Sequence, residues 1–372
     1  MVNFIKGRDN LSCTIFVPVV CGNNCSFCTS KKDYEGFVYS PEYLNKILSW
    51  IYLINTNDLV SEFVISGGEP IMDLDILKEI VNTCEKPVYI NTSLPRVKNI
   101  YDVIKFINEA DKIKGINISR HIGVKHDVAV YGTDIIDMIN KPIRINCLIN
   151  EQNFSIKKIE QMLSKYAIRD NIMLNLRADY RTITDANLKT QDKIFTSLIN
   201  KYTYLGSSNC LVCNSCHFET EDNKIICYHR GIEQSSVITK NRVYVNDVII
   251  NMYGDVFYDW GNPNDNINTD FVTFLLFKDN IKETVDAELF LLDTTNSRVC
   301  PIHTEIEPKP KSTPKPKSKS SSSSKSIYSG CGYRQSYHSG CGAGSCGSPG
   351  PVTYMGCGVY RRSYGGCGTS GC

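Results

Sequence analysis

Between residues 13 and 177, short β-branched runs take turns with longer amphipathic stretches. The short runs are CTIFVPVV, EFVISGG, PVYINTS, GINISRH, PIRINCLIN and NIMLNLR. The longer ones, PEYLNKILSWIYLIN, DLDILKEIVNTC, VKNIYDVIKFINEA and FSIKKIEQMLSKYA, repeat apolar residues at helical spacing. Parallel strands need a crossover of a dozen or more residues, which a helix supplies. The alternation therefore predicts an α/β fold, a parallel sheet with helices outside it. A doubly wound open sheet and a curved, partial (β/α)6 barrel both satisfy the pattern. In either, ligands gather at the carboxyl ends of the strands. With 372 residues and 42% hydrophobic content, the chain can bury such a core.

The loop after the first run, Cys21–Lys32, opens with CGNNCSFC. Cys21, Cys25 and Cys28 stand in the spacing Cys-x3-Cys-x2-Cys, on the functional rim of the predicted sheet. The chain shows no charged-then-apolar start and no run of eighteen apolar residues, so a soluble, cytoplasmic protein is expected. In a reducing compartment its 17 cysteines favour metal binding or catalysis over disulfides. A structural zinc site takes four protein ligands, and the triplet offers three. A [4Fe–4S] cluster has four irons, so three thiolates leave one iron open to something exogenous. A zinc knuckle or packed thiols are the bland alternatives.

The second run ends in SGGEP, residues 66–70. Two glycines let the backbone approach a ligand closely, and Glu69 supplies an acceptor for an ammonium group. Together, CGNNCSFC and GGEP resemble the radical S-adenosylmethionine (SAM) superfamily. The resemblance covers roughly residues 10–205. It implies that Cys21, Cys25 and Cys28 hold a [4Fe–4S] cluster whose open iron is chelated by SAM. It implies too that Gly67, Gly68, Glu69 and Pro70 hold the amino group of SAM. One electron would then cleave the sulfonium and release a 5′-deoxyadenosyl radical. Softer matches at the later strand ends resemble the molybdenum-cofactor-biosynthesis branch and its peptide-modifying relatives. On that likeness Asn91, Thr92, Ser119, Asn146 and Arg177 would contact SAM, with Arg120 and His121 at the pocket mouth. A reductant such as flavodoxin or ferredoxin is implied as the electron source.

Beyond this core, expected to end near residue 205, Cys210, Cys213, Cys216 and Cys227 form Cys-x2-Cys-x2-Cys-x10-Cys. That spacing is a metal signature. It fits a second [4Fe–4S] cluster of twitch or SPASM type, or zinc, for which His217 and His229 are substitute ligands. VIINMYGDVFYDW resembles the SPASM β-hairpin, with Asp259 and Trp260 where a cysteine is expected. The expected organisation is a core at 1–205, an auxiliary metal-binding extension at 206–307, a Pro/Lys/Ser linker at 308–326 and a disordered Gly/Cys-rich tail at 327–372.

The tail repeats Gly-Cys-Gly units among Tyr, Ser and Arg, and charge divides at the same place. Residues 1–307 hold 32 Lys/Arg and all 39 Asp/Glu, whereas 308–372 hold 9 Lys/Arg and no acid. In polyproline II geometry the linker would span about 60 Å, against a radius of gyration near roughly 19 Å for the core. The tail can reach its own active site. A peptide or protein substrate, the tail among the candidates, is therefore the leading expectation. The alternatives are a nucleotide or other small metabolite, or a non-catalytic iron–sulfur or zinc protein on the same fold. No membrane is expected, and the acidic core argues against nucleic acid.

Overall fold

The computed structural model describes residues 3–6, 11–23, 25, 27, 28, 30, 31, 33–122, 130–149, 154–167, 169–178, 185–207, 215–229, 236–238, 242–258, 269–276, 353–355 and 359–361. In chain order the elements open with β1 (Asn3–Lys6), β2 (Leu11–Val17), α1 (Pro41–Asn55) and β3 (Val60–Gly67). A single 3-10 turn (Pro70–Met72) leads into α2 (Leu74–Thr83), β4 (Val88–Thr92), α3 (Ile100–Glu109) and β5 (Ile113–Ser119). Next come α4 (Thr133–Ile136), β6 (Ile143–Ile149), α5 (Ile156–Tyr166), β7 (Ile172–Ala178) and α6 (Asp185–Lys201). The later strands are β8 (Thr203–Ser207), β9 (Ser215–Glu219), β10 (Ile225–His229), β11 (Ser236–Ile238), β12 (Arg242–Val245), β13 (Asp247–Ile250) and β14 (Val256–Phe257). Helix α7 (Thr269–Leu276) and a distant hairpin of β15 (Thr353–Met355) and β16 (Val359–Arg361) complete the set.

Each expected strand has its counterpart in β2 to β7, and the four expected helices are α1, α2, α3 and α5. Their local signals are strong. Pro41 sits in the first turn of α1, where its missing N–H costs nothing, and Ser40 caps it by accepting the Glu42 N–H. Asp73 caps α2 through the N–H groups of Asp75 and Ile76. Inner-face Ile and Leu of these helices pack on Cys13, Ile15, Val17, Phe63 and Ile65 in one apolar core.

The central strands pair in the order β2-β3-β4-β5-β6-β7, all parallel. Strand order follows chain order without a reversal, so there is no switch point of the doubly wound kind. Parallel strands laid down in one direction, with the crossover hand that such connections adopt, put their helices on one face, and α1, α2, α3 and α5 share one apolar core with the strands. The other face is unusually polar, because β5, β6 and β7 alternate Ile or Leu with Asn, Ser or Arg.

The sheet runs past the boundary expected near residue 205. Strand β10 pairs parallel with β7 and antiparallel with β9, which pairs with β8. At the other edge β13 pairs parallel with β2 and antiparallel with β14. Segments that read as a separate extension therefore close both edges of the main sheet, giving eleven strands. Among the described residues, no helix is long and apolar enough to cross a membrane.

Candidate functional site

The carboxyl ends of β2 and β3 meet at their glycines. Gly67 has φ +96°, in the left-handed region where a side chain is strained, and a Cβ there would press on Phe16 and the Tyr34 hydroxyl. A Cβ on Gly68 would overlap the Val19 carbonyl oxygen and come within 3.2 Å of the Cys21 nitrogen. The Gly-Gly-Glu-Pro turn and the first residue of the cysteine loop are thus in backbone contact, which only glycine permits. Tyr34 locks the junction: its buried hydroxyl donates to the Val17 carbonyl (2.6 Å) and accepts the Gly68 N–H.

Glu69 follows, only 2% exposed. Its carboxylate accepts from the Thr92 hydroxyl, from the Ser93 N–H (2.8 Å) and from the Ser93 hydroxyl (2.7 Å). Burial raises its pKa, and the bonds from Thr92 and Ser93 pull it partly back. Pro70 is buried and starts the 3-10 turn that holds this conformation. Ser93 also accepts from the Asn23 amide (3.1 Å), so one hydroxyl joins the cysteine loop to the carboxylate. Thr92 was expected to contact SAM; here its hydroxyl serves Glu69 and accepts the Leu94 N–H. Arg120, expected at the pocket mouth, is 5% exposed and donates to the carbonyls of Ser93, Ser119 and Tyr131. It ties strand ends together.

Cys21 and Cys25 are half-buried and Cys28 is exposed. The Cys28 N–H bonds to the Cys25 carbonyl (3.1 Å), which sets these two on one tight turn. The Asn23 N–H points at the Cys21 sulfur (3.4 Å). Burial raises the Cys21 thiol, the Asn23 N–H opposes it, and the negative charges of Glu69 and Cys28 add to the rise. Among the described residues, no three Cys, His, Asp or Glu side chains converge on a single metal ion. A cuboidal cluster does not ask for that, since it takes one thiolate at each of several irons. Three accessible thiols on one loop, with a backbone N–H aimed at one sulfur, fit such a group.

Away from the loop, the polar face carries a transverse ladder. The Asn91 amide donates to Ser66 (3.1 Å) and accepts from Asn117 (2.7 Å). Asn175 donates to Asn146 (2.6 Å). Ser119, Asn146, Asn175, Cys227 and His217 follow one another in register across β5, β6, β7, β10 and β9. Arg177 lies one step further along, level with Leu148 and His229. Asn91, Ser119, Asn146 and Arg177 therefore share this face. The sequence reading passed over Asn117, Asn175 and Arg144, although Ile-Asn-Ile-Ser and Leu-Asn-Leu-Arg carry the alternation that marks them. It also missed Asn23, Tyr34 and Ser93 as braces, for which no local signal exists. His121 accepts the Leu148 N–H on Nδ1 (3.0 Å), and its ring meets Phe27 of the cysteine loop edge-on at 4.5 Å.

Of the expected second metal site, the described residues include Cys216 and Cys227, which are not brought together. Cys210 and Cys213 lie outside the described residues. Cys216 pairs with Tyr228, and Cys227 pairs with His217, in the antiparallel β9/β10 hairpin. Neighbouring residues on a strand face opposite ways. Cys216 accordingly joins the apolar core with Phe218, Ile226 and Tyr228, whereas Cys227 faces the polar side with His217. The two thiols cannot serve one cluster from opposite faces of a sheet. Asp259 and Trp260 also lie outside the described residues, but the hairpin before them is present as β13/β14.

No family model matches the chain, and no curated protein does. Among solved structures, Streptococcus suis SuiB bound to precursor peptide SuiA is 14% identical, with a TM-score of 0.49, over 73% of this chain and 65% of that one. Hexahistidine-tagged anSMEcpe with bound AdoMet is 11% identical, with a TM-score of 0.48, over 78% of this chain and 88% of that one. SuiB without peptide is 16% identical, with a TM-score of 0.47, over 72% and 64%. This chain is similar to these structures in fold. It spans just under two thirds of the length of SuiB. At these identities and TM-scores the likeness says nothing of the chemistry.

Proposed function

We propose that this chain is a radical SAM enzyme, built on a curved partial (β/α)6 barrel, that modifies a peptide. The observation that carries the reading is the backbone contact between Gly68 and the start of the cysteine loop, with Glu69 buried beside it. Cys21, Cys25 and Cys28 would hold a [4Fe–4S] cluster. When bound, the cluster supplies the electron, drawn from an external reductant, that breaks a carbon–sulfur bond of the SAM sulfonium. Glu69 would accept hydrogen bonds from the SAM ammonium, its carboxylate already aimed by Thr92 and Ser93. Gly67 and Gly68 let the turn close directly on Phe16, Val19 and the Cys21 nitrogen, which sets Glu69 and Pro70 beside the cysteine loop for the methionine part. Asn91, Ser119, Asn146 and Arg177 offer amides, a hydroxyl and a guanidinium along the polar face for the ribose and carboxylate.

The tail supports the peptide reading. Its six cysteines, four of them in Gly-Cys-Gly units, and its excess of positive charge against an acidic remainder, suit an encounter with the chain's own site. The attraction is modest at physiological salt.

Anaerobic incubation of reconstituted protein with SAM and dithionite tests both levels. 5′-Deoxyadenosine is the expected product, and its absence rejects the enzyme reading. Mass spectrometry of the tail from the same tube should show losses of two hydrogens per crosslink; an unmodified tail beside ample 5′-deoxyadenosine rejects self-modification.

A further inference from the structure

The β13/β14 hairpin resembled a cluster-bearing module, yet its turn does something else. Asn251 organises that turn: its side-chain oxygen accepts the N–H groups of Tyr253 and Asp255 (2.9 Å each), and its carbonyl accepts the Gly254 N–H (3.0 Å). Gly254 has φ +80°, and a Cβ there would strike Lys46 of α1. A glycine is needed both for the backbone conformation and for seating the turn on α1. The turn is thereby rigid and delivers Met252 and Tyr253 to one place.

That place is the stretch just past the cysteine loop, at Tyr34 and Phe37. Phe16, Tyr34, Phe37 and Met252 form a second apolar cluster, separate from the main core, with Tyr43 and Tyr253 packed against it. Tyr253 stands 5.3 Å from the Phe37 ring and 5.2 Å from the Tyr43 ring, and Phe37 and Tyr43 are 5.9 Å apart, closing a triangle. Phe37 meets Tyr34 edge-on at 5.7 Å. Tyr34 in turn bonds both Val17, where β2 enters the loop, and Gly68, which touches Cys21. A continuous packed path thus joins residues 251–255 to both halves of the site.

We propose that the hairpin Asp247–Phe257 is a brace for the cysteine loop, its Tyr253 acting through Phe37 and Tyr34 to set the spacing between Cys21 and the Gly-Gly-Glu-Pro turn. Tyr253 and Tyr34 are positioning residues in this scheme. The inference rests on the reading of that turn and loop as the SAM and cluster site, and deepens it. Aromatic edge contacts and two hydrogen bonds are short-range and directional, so the loop is held at a distance rather than merely covered. Pairing of β13 with β2 also anchors the brace to the strand that carries the loop.

The full chain, reconstituted anaerobically, provides the test with Tyr253→Ala, Tyr253→Phe and Tyr34→Phe. Tyr253→Ala should need about tenfold more SAM to produce the SAM-dependent change in the EPR spectrum, in the range seen when outer-shell supports of a metal site are removed. Tyr253→Phe keeps the ring and should restore the wild-type titration. Tyr34→Phe keeps the packing but loses the bonds to Val17 and Gly68, and should take up wild-type iron yet titrate weakly with SAM. Tyr101→Ala, on the outer face of α3 and 65% exposed, should change nothing. A wild-type titration for both Tyr253→Ala and Tyr34→Phe overturns the brace. Trypsin cleavage after Lys31 in the iron-free chain gives a readout independent of the cluster. It should speed up about tenfold in Tyr253→Ala, in line with a released loop. An unchanged rate also overturns the brace, whereas accelerated cleavage of Tyr253→Ala, beside wild-type protein that takes up no iron on reconstitution, overturns only the SAM reading.

Discussion

Burial lifts the Glu69 carboxyl above its ordinary value of 4.5, and the hydrogen bonds from Thr92 and Ser93 offset part of the rise. A carboxyl raised in the folded state binds its proton more tightly there than in the unfolded chain. Ionised Glu69 therefore costs stability, and the cost grows as pH rises above 4.5. A ligand ammonium would remove that cost, which is a reason to hold an acid there. Glu69→Gln keeps the shape: its amide oxygen can take both Ser93 donors while its nitrogen donates to Thr92. At neutral pH this variant should melt at or above the wild-type temperature. Its affinity for SAM should fall at least about tenfold, as a lost hydrogen bond to a charged group contributes about 1.5–3 kcal/mol. Calorimetric titration of the reconstituted protein measures it, and unchanged affinity would remove Glu69 from the site. The acid itself was legible, because Gly-Gly-Glu-Pro is a contiguous motif. Its supports were not, since Ser93 and Asn23 are 70 positions apart and ordinary in their local setting.

At the level of elements, the β9/β10 hairpin departs most from expectation. Cysteines spaced for a metal read as a ligand set only if the backbone between them turns back on itself. Here Ser215–Glu219 is extended, and register pairs Cys227 with His217, not with Cys216. Whether two cysteines share a face depends on the parity of that register, which the intervening residues do not announce. His217 pays for its place: burial, then the Arg144 charge, hold its pKa to about 4 against an ordinary 6.5. A histidine lowered in the folded state gives stability that is complete above pH 6.5 and is lost as pH falls towards 4. The size is about 3 kcal/mol from the shift alone. Urea unfolding at pH 7.5 and pH 5 should show a drop in midpoint that His217→Gln abolishes. An equal drop in both proteins would assign the acid sensitivity elsewhere. By contrast, helices α1, α2, α3 and α5 were readable to within a few residues, because their caps and apolar stripes are local.

For the whole molecule, the opposed faces of Cys216 and Cys227 predict one cluster per chain. Iron should reach about four atoms per chain, the content of one [4Fe–4S] group. Cys216→Ser and Cys227→Ser should leave that figure intact, whereas Cys25→Ser should lower it sharply. About eight irons, halved by either of the first two changes, would restore the four-cysteine site. The sequence alone determined the run of strands and helices and the cysteine triplet beside its glycine turn, since each is written in consecutive residues governed by local sterics and capping. Tertiary structure alone decided the unreversed strand order, the parity that splits Cys216 from Cys227, and the return of β13 to the edge of β2. These are pairings between segments as many as 235 residues apart, as between Ser12 and Asp247. They depend on which edges remain open once the rest has packed, and no stretch of chain carries that information by itself.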